Sequence, residues 1–184
     1  MEYELSVSTK DPKAQIVLFE VNLQEEKLIH DTTVESKNPE MNNSFGGAAF
    51  LGNTMDFGEQ WLCARPDYSK MDDLLEHSIQ NAVLYVPTFD QNEALLYLFG
   101  LENRFCSFGS NWNNKKPATN MCGISHRIKG YHKIDVTEMM VEFNSLSIRS
   151  EGWILKKASK SGEFSVISTG DSYYAPQILE VHFN

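Results

Sequence analysis

Apolar and polar residues alternate in short runs along most of the chain, and the dominant period is two rather than 3.6. In residues 2–8, Tyr3, Leu5 and Val7 share one face. After the turn signal Asp11-Pro12, the run Ile16-Val17-Leu18-Phe19 marks a second strand within 15–22, so the two predict a hairpin. Further strands are predicted at 32–35, 48–51, 60–65, 81–86, 94–99, 152–157, 163–168 and 178–183. Helical spacing occurs in two places: a turn or so at 71–77, and 136–143, where Met139, Met140 and Phe143 recur on one face and Asp135 or Thr137 is the candidate N-cap. About nine or ten short strands, punctuated by Gly, Pro, Asn and Ser, predict an all-β fold. The expected architecture is an antiparallel, jelly-roll-like β-sandwich with one or two short helices.

Two segments organise this pattern. Residues 31–47, DTTVESKNPEMNNSFGG, read as a strand followed by a loop whose Asn, Pro, Ser and Gly suit turns and positive φ. Residues 134–143, IDVTEMMVEF, read as a strand entering a helix. Residues 29–184 form the sandwich, and residues 1–28 are an N-terminal hairpin, a linker or an oligomerisation element.

A chain of 184 residues, 41% hydrophobic and 22% charged, is one domain with a sizeable core. Its net charge of −9 repels phosphate backbones and excludes nucleic acid as the expected partner. The same charge disfavours a strongly polyanionic glycan unless the basic residues gather in one patch. Three cysteines, Cys63, Cys106 and Cys122, lack zinc-type spacing. Cys106 and Cys122 either pair or stay reduced, and at least one thiol is free. The first 20 residues have no basic segment followed by an apolar one, and no run approaches 18 apolar residues, so neither a signal peptide nor membrane insertion is expected.

Catalytic patterns are weak. Asp56, Glu59, Asp67, Asp72 and Asp73 fall mostly in predicted turns, where nothing sets a pair across a cleft as glycoside hydrolysis requires. His30, His77, His126, His132 and His182 are scattered, and there is no G-x-S-x-G elbow or phosphate-binding glycine loop. His126 and His132 are a candidate metal pair, and the oxygens of residues 67–73 a candidate structural calcium loop, without the spacing of an EF-hand. Asp67 or Ser69 is otherwise a turn cap. No catalytic residue and no cofactor is expected.

From about Ile29 to Phe183 the chain resembles the DNRLRE-type β-sandwich, a family that includes disaggregatase-related modules and carbohydrate-binding modules of polysaccharide lyases. The landmarks run in the family's order: residues 31–47, then WLCARPDYSKM, IQNAVLYV, SNWNNKKPAT and IDVTEMMVEF, then EGWILKK and FSVISTGDSYYAPQILEVHF. The chain departs from the family at Pro66, which ends a strand or confines it to an edge, and at Ser168-Thr169-Gly170-Asp171. The resemblance implies a non-catalytic module that binds a polysaccharide or surface glycan at a cell surface or outside the cell. The competing expectation is a structural or adhesive component of a phage tail, spore coat or cell-surface assembly, oligomeric or part of a larger multidomain protein.

Sugar rings stack on aromatic faces while amides and charges bond the hydroxyls, so loops that mix these residue types are the candidate sites. Trp112, Asn113 and Lys115 lie in one such loop and Tyr173 and Tyr174 in another, where one tyrosine of an extended pair points outward. Arg127, with Arg104 and Lys129, is the candidate basic rim. Trp112 has a competing role, pinning its loop to the sandwich.

Overall fold

The computed structural model describes residues 15–19, 29–67, 77–91, 94–103, 106–145, 152–157, 162–170, 172 and 177–184. They form an antiparallel β-sandwich, as the alternating pattern predicts. Strands β1 (Gln15–Phe19), β12 (Ile178–Phe183), β5 (Ile79–Pro87), β9 (Tyr131–Asp135) and β8 (His126–Ile128) lie side by side in the smaller sheet. The larger sheet runs β11 (Phe164–Ser168), β3 (Ala48–Thr54), β4 (Gly58–Pro66), β10 (Trp153–Lys157), β6 (Leu96–Leu101) and β7 (Ala118–Ile124), with β2 (Ile29–Glu35) also on β4.

Period-two alternation decides which side chains enter the core. Leu62 and Ala64 of β4, Leu96 and Leu98 of β6, and Trp153 and Leu155 of β10 meet Ala82, Leu84 and Val86 of β5, Ile134 of β9, and Leu179, Val181 and Phe183 of β12. Each fully buried Leu, Ile or Phe contributes about 1.5–3 kcal/mol relative to exposure. Helix α1 (Thr137–Ser145) inserts Met139 and Met140 into the same core. Its first turn is fixed to β5: the Ala82 amide donates to Thr137 Oγ1 at 3.0 Å, and Val136 donates to the Ala82 carbonyl. Asp135 Oδ1 accepts the Thr137 amide at 2.9 Å, and hydrogen bonding from the Thr137 side chain, then from its amide, holds the Asp135 carboxyl below the usual range.

Pro66 is the last residue of β4, paired with Ile29, where its missing N–H interrupts no further ladder. Strand β1 pairs along its whole length with β12, so residues 15–19 extend the smaller sheet. The strand expected at 2–8 lies outside the described residues, as does most of the helix expected at 71–77. Strands β7 and β8, absent from the sequence reading, carry largely exposed side chains and lack the apolar alternation that marks the others.

Residues 31–47 are woven into the fold by polar bonds. Glu35, 1% exposed, accepts hydrogen bonds from the side-chain amides of Asn38 (2.6 Å), Asn43 (3.3 Å) and Gln60 (3.2 Å). Asp31 Oδ2 accepts the Gly170 amide at 2.5 Å, joining β2 to the segment after β11. A buried carboxylate is retained only with such donors.

Candidate functional site

The outer face of the larger sheet carries a second, smaller apolar cluster. Because Ile154 stands opposite both Cys63 and Phe99, these three share a face, and Trp61, Tyr97 and Lys156, each two residues along its strand, share it too. Val34, opposite Trp61, completes the set. Val34, Cys63, Leu101 and Ile154 are buried there beneath Trp61, Trp112 and Ala118.

Trp112 reaches this face from the long loop between β6 and β7. Its ring centroid lies 4.8 Å from that of Trp61, with the planes tilted by 52°. Lys115 Nζ sits 3.9 Å over the Trp112 ring and 5.1 Å over Trp61, and donates to the Trp112 carbonyl at 2.9 Å. Lys156 Nζ lies 3.5 Å over Trp61 and 4.8 Å over Phe99. The Trp61 indole donates Nε1–H to Glu59 Oε1 at 2.7 Å, which fixes the ring's rotation. Two rings, two ammonium groups and one carboxylate thus form a half-exposed cluster.

The loop is held in shape from within and from below. The Asn111 amide donates to Asn114 Oδ1 (2.8 Å), the Asn114 amide to Asn111 Oδ1 (3.1 Å), and Asn114 Nδ2 to the Gly109 carbonyl (2.9 Å). Asn42 Nδ2 donates to the carbonyls of Ser107 (2.6 Å) and Ser110 (2.7 Å), and the Asn113 amide donates to Pro39 O at 3.2 Å. The 31–47 segment is therefore the bed on which the Trp112 loop lies.

Burial lowers the pKa of Lys115 and Lys156, with Glu59 opposing the shift in both. Burial pushes the Cys63 thiol up to about 12, which makes it an apolar floor and not a nucleophile. Cys106 is exposed and Cys122 half-buried, and all three thiols are free.

Of the residues singled out in the sequence, Trp112, Asn113 and Lys115 come together, with the Asn113 side chain exposed. Arg127 belongs to a different place. It lies on β8 opposite His132 and donates from Nη2 to the Asp90 carbonyl at 2.7 Å. His132 is fully buried, with Nδ1 3.1 Å from Ser125 Oγ, and burial followed by the Arg127 charge lowers its pKa to about 4. His126 pairs with Lys133 while His132 pairs with Arg127, so the two histidines project to opposite faces of the β8–β9 ribbon and do not form a metal pair. Among the described residues no group of three His, Cys, Asp or Glu could hold a metal ion. Tyr173, Tyr174, Arg104 and residues 68–73 of the candidate calcium loop lie outside the described residues.

Trp61, Phe99 and Lys156 carry no signal of function in the sequence pattern, and Glu59, named there among acidic residues of predicted turns, lies instead on β4. With Leu62 and Ala64 inward, alternation sets Trp61 and Cys63 outward. Lys156 and Phe99 needed the strand register, which no local pattern encodes.

No protein-family profile matches the chain, and no curated protein matches it significantly. No helix among the described residues is long and apolar enough to cross a membrane.

Proposed function

We propose that the chain is a non-catalytic recognition module that binds carbohydrate on a cell surface or an extracellular polysaccharide. The observation that carries this reading is the Trp61–Trp112 pair with Lys115 and Lys156 above its rings, on the outer face of the larger sheet. A sugar's C–H face gains by stacking on an indole, and its hydroxyls need donors beside the ring. A ligand that displaces an ammonium from a ring forfeits a cation–π contact of about 0.5–1 kcal/mol at such a half-exposed site and gains a stacking surface with that same ammonium free to donate. The cluster rests on strands and on a hydrogen-bonded loop, so little ordering is needed on binding. The resemblance to DNRLRE-type modules supports the same ligand class.

The test is a glycan array probed with the full chain and with Trp112→Ala, alongside polysaccharide pull-downs. The expected result is retention on one class of glycan that Trp112→Ala abolishes. Absence of binding to every glycan at high protein concentration, with the fold intact, refutes the proposal.

A further inference from the structure

Phe45 and Phe108 are 78% and 66% exposed, yet their rings lie 5.5 Å apart at 40°. Both are held by one side chain. Asn42 Nδ2 donates to the carbonyls of Ser107 and Ser110, which flank Phe108, while Asn42 Oδ1 accepts the amide of Ser44, the residue before Phe45, at 3.2 Å. On the far side of Phe45, the Gly46 amide donates to Asn43 O at 3.3 Å, and the Gly46 carbonyl accepts from Thr169 Oγ1. This pair is therefore built into the fold and displayed, which is what an interaction site requires of apolar groups in water.

Their surroundings decide the occupant. Residues 41–50 and 106–114 contain no charged side chain and are rich in Asn, Ser and Gly. Asn113, exposed and next to Trp112 in the same loop, makes no side-chain hydrogen bond among the described residues. Two rings fall far short of the roughly 800 Å² per partner that a stable protein interface buries. Neutral hydroxyl-bearing chains fit a small apolar platform edged by amides. Phe108 and Trp112 stand four residues apart in the same pinned loop, so one element positions both ring pairs.

We infer that the recognition surface has two stacking platforms, Trp61–Trp112 and Phe45–Phe108, joined by the 106–117 loop, and that it takes several units of a glycan chain rather than one terminal sugar. This inference rests on the glycan reading above.

The experiment titrates the full chain with oligosaccharide ladders prepared from soluble β-glucan, xylan and galactomannan. On the ladder that binds, affinity is expected to rise with length and then level off. Phe45→Ser and Phe108→Ser, both at exposed positions, should weaken the longest oligomers roughly three- to tenfold and leave the shortest unchanged, as loss of a ring contact of about 0.5–1.5 kcal/mol implies. Phe45→Tyr, which keeps the ring, should restore the gain. Length-independent affinity, or long oligomers bound equally by the serine variants, would overturn the two-platform inference while leaving the glycan reading standing. Failure of every ladder to bind would overturn both. Phe45-dependent binding to phosphatidylcholine vesicles, or Phe45-dependent self-association in light scattering, would assign the rings to a lipid surface or a second copy and also overturn the inference. Thermal unfolding of each variant confirms that the fold is retained.

Discussion

Replacing Asn42 tests whether the 31–47 segment holds the ring-bearing loop in place. Its amide donates to two carbonyls at 2.6 and 2.7 Å, and to Thr32 Oγ1 at 3.3 Å, while its oxygen accepts the Ser44 amide at 3.2 Å. Asn42→Ala removes all of these. Each net hydrogen bond is worth about 1 kcal/mol, and the Ser110 carbonyl, on a residue 4% exposed, is left without its donor at a further cost of about 1–3 kcal/mol. Counting only the two short bonds to the carbonyls and the orphaned Ser110 oxygen, the expected loss of stability is about 3–5 kcal/mol. Asn42→Asp preserves shape and the acceptor for Ser44, but turns a carboxylate oxygen toward two carbonyl oxygens. It should therefore destabilise at least as much as alanine despite being isosteric. Urea unfolding followed by tryptophan fluorescence measures both, with an unchanged m-value confirming that the native and unfolded states remain comparable. An Asn42→Asp protein within about 0.5 kcal/mol of the parent, a surface-like effect, would refute the assignment of Asn42 as the donor that pins the loop.

Two further predictions follow from buried titratable groups. His132, fully buried beside Arg127, has its folded pKa lowered to about 4 from 6.5. Its neutral form is therefore fully compatible with the fold above pH 6.5; between 6.5 and 4 the unfolded chain binds a proton that the folded chain refuses; and below 4 the loss levels off. Urea unfolding across that window should show a loss of roughly 3 kcal/mol, absent in His132→Gln; equal slopes in the two proteins would contradict it. Cys63, 1% exposed with its thiol pushed up to about 12, should resist a disulfide reagent at pH 8 until the chain unfolds, whereas the exposed Cys106 reacts at once. Rapid labelling of Cys63 in a Cys106→Ser, Cys122→Ser background would contradict the buried floor of the site.

The sandwich was legible because its strands obey a local rule. Alternation in residues 178–183 marks inward and outward positions without knowledge of partners, the apolar runs at 61–64 and 82–86 mark strands without saying which face is inner, and the Met139-Met140 pair beside Asp135 and Thr137 marks the helix. Strand β7 escaped because most of its side chains face solvent, leaving no apolar period to read. The site was legible only in part. Trp112, Asn113 and Lys115 sit together in sequence, so their association needed no fold. Lys156 joins them across β10 and β4, and Phe45 meets Phe108 across 63 residues of chain, and such pairings are set by register and loop packing. Arg127 looked equivalent to any other basic residue; its register opposite His132 takes it to the smaller sheet.

The chain's three tryptophans report directly on stacking of a glycan at the Trp61–Trp112 pair. Trp153 is fully buried in the core, whereas Trp61 and Trp112 form the half-exposed pair. The decisive measurement is tryptophan fluorescence during titration with a glycan retained on the array, for the parent chain and for Trp61→Phe, Trp112→Phe. A saturable change in the parent should match the binding isotherm and vanish in the double variant, where only Trp153 emits. Saturable binding of that glycan with no change in the parent's emission would contradict stacking at this pair.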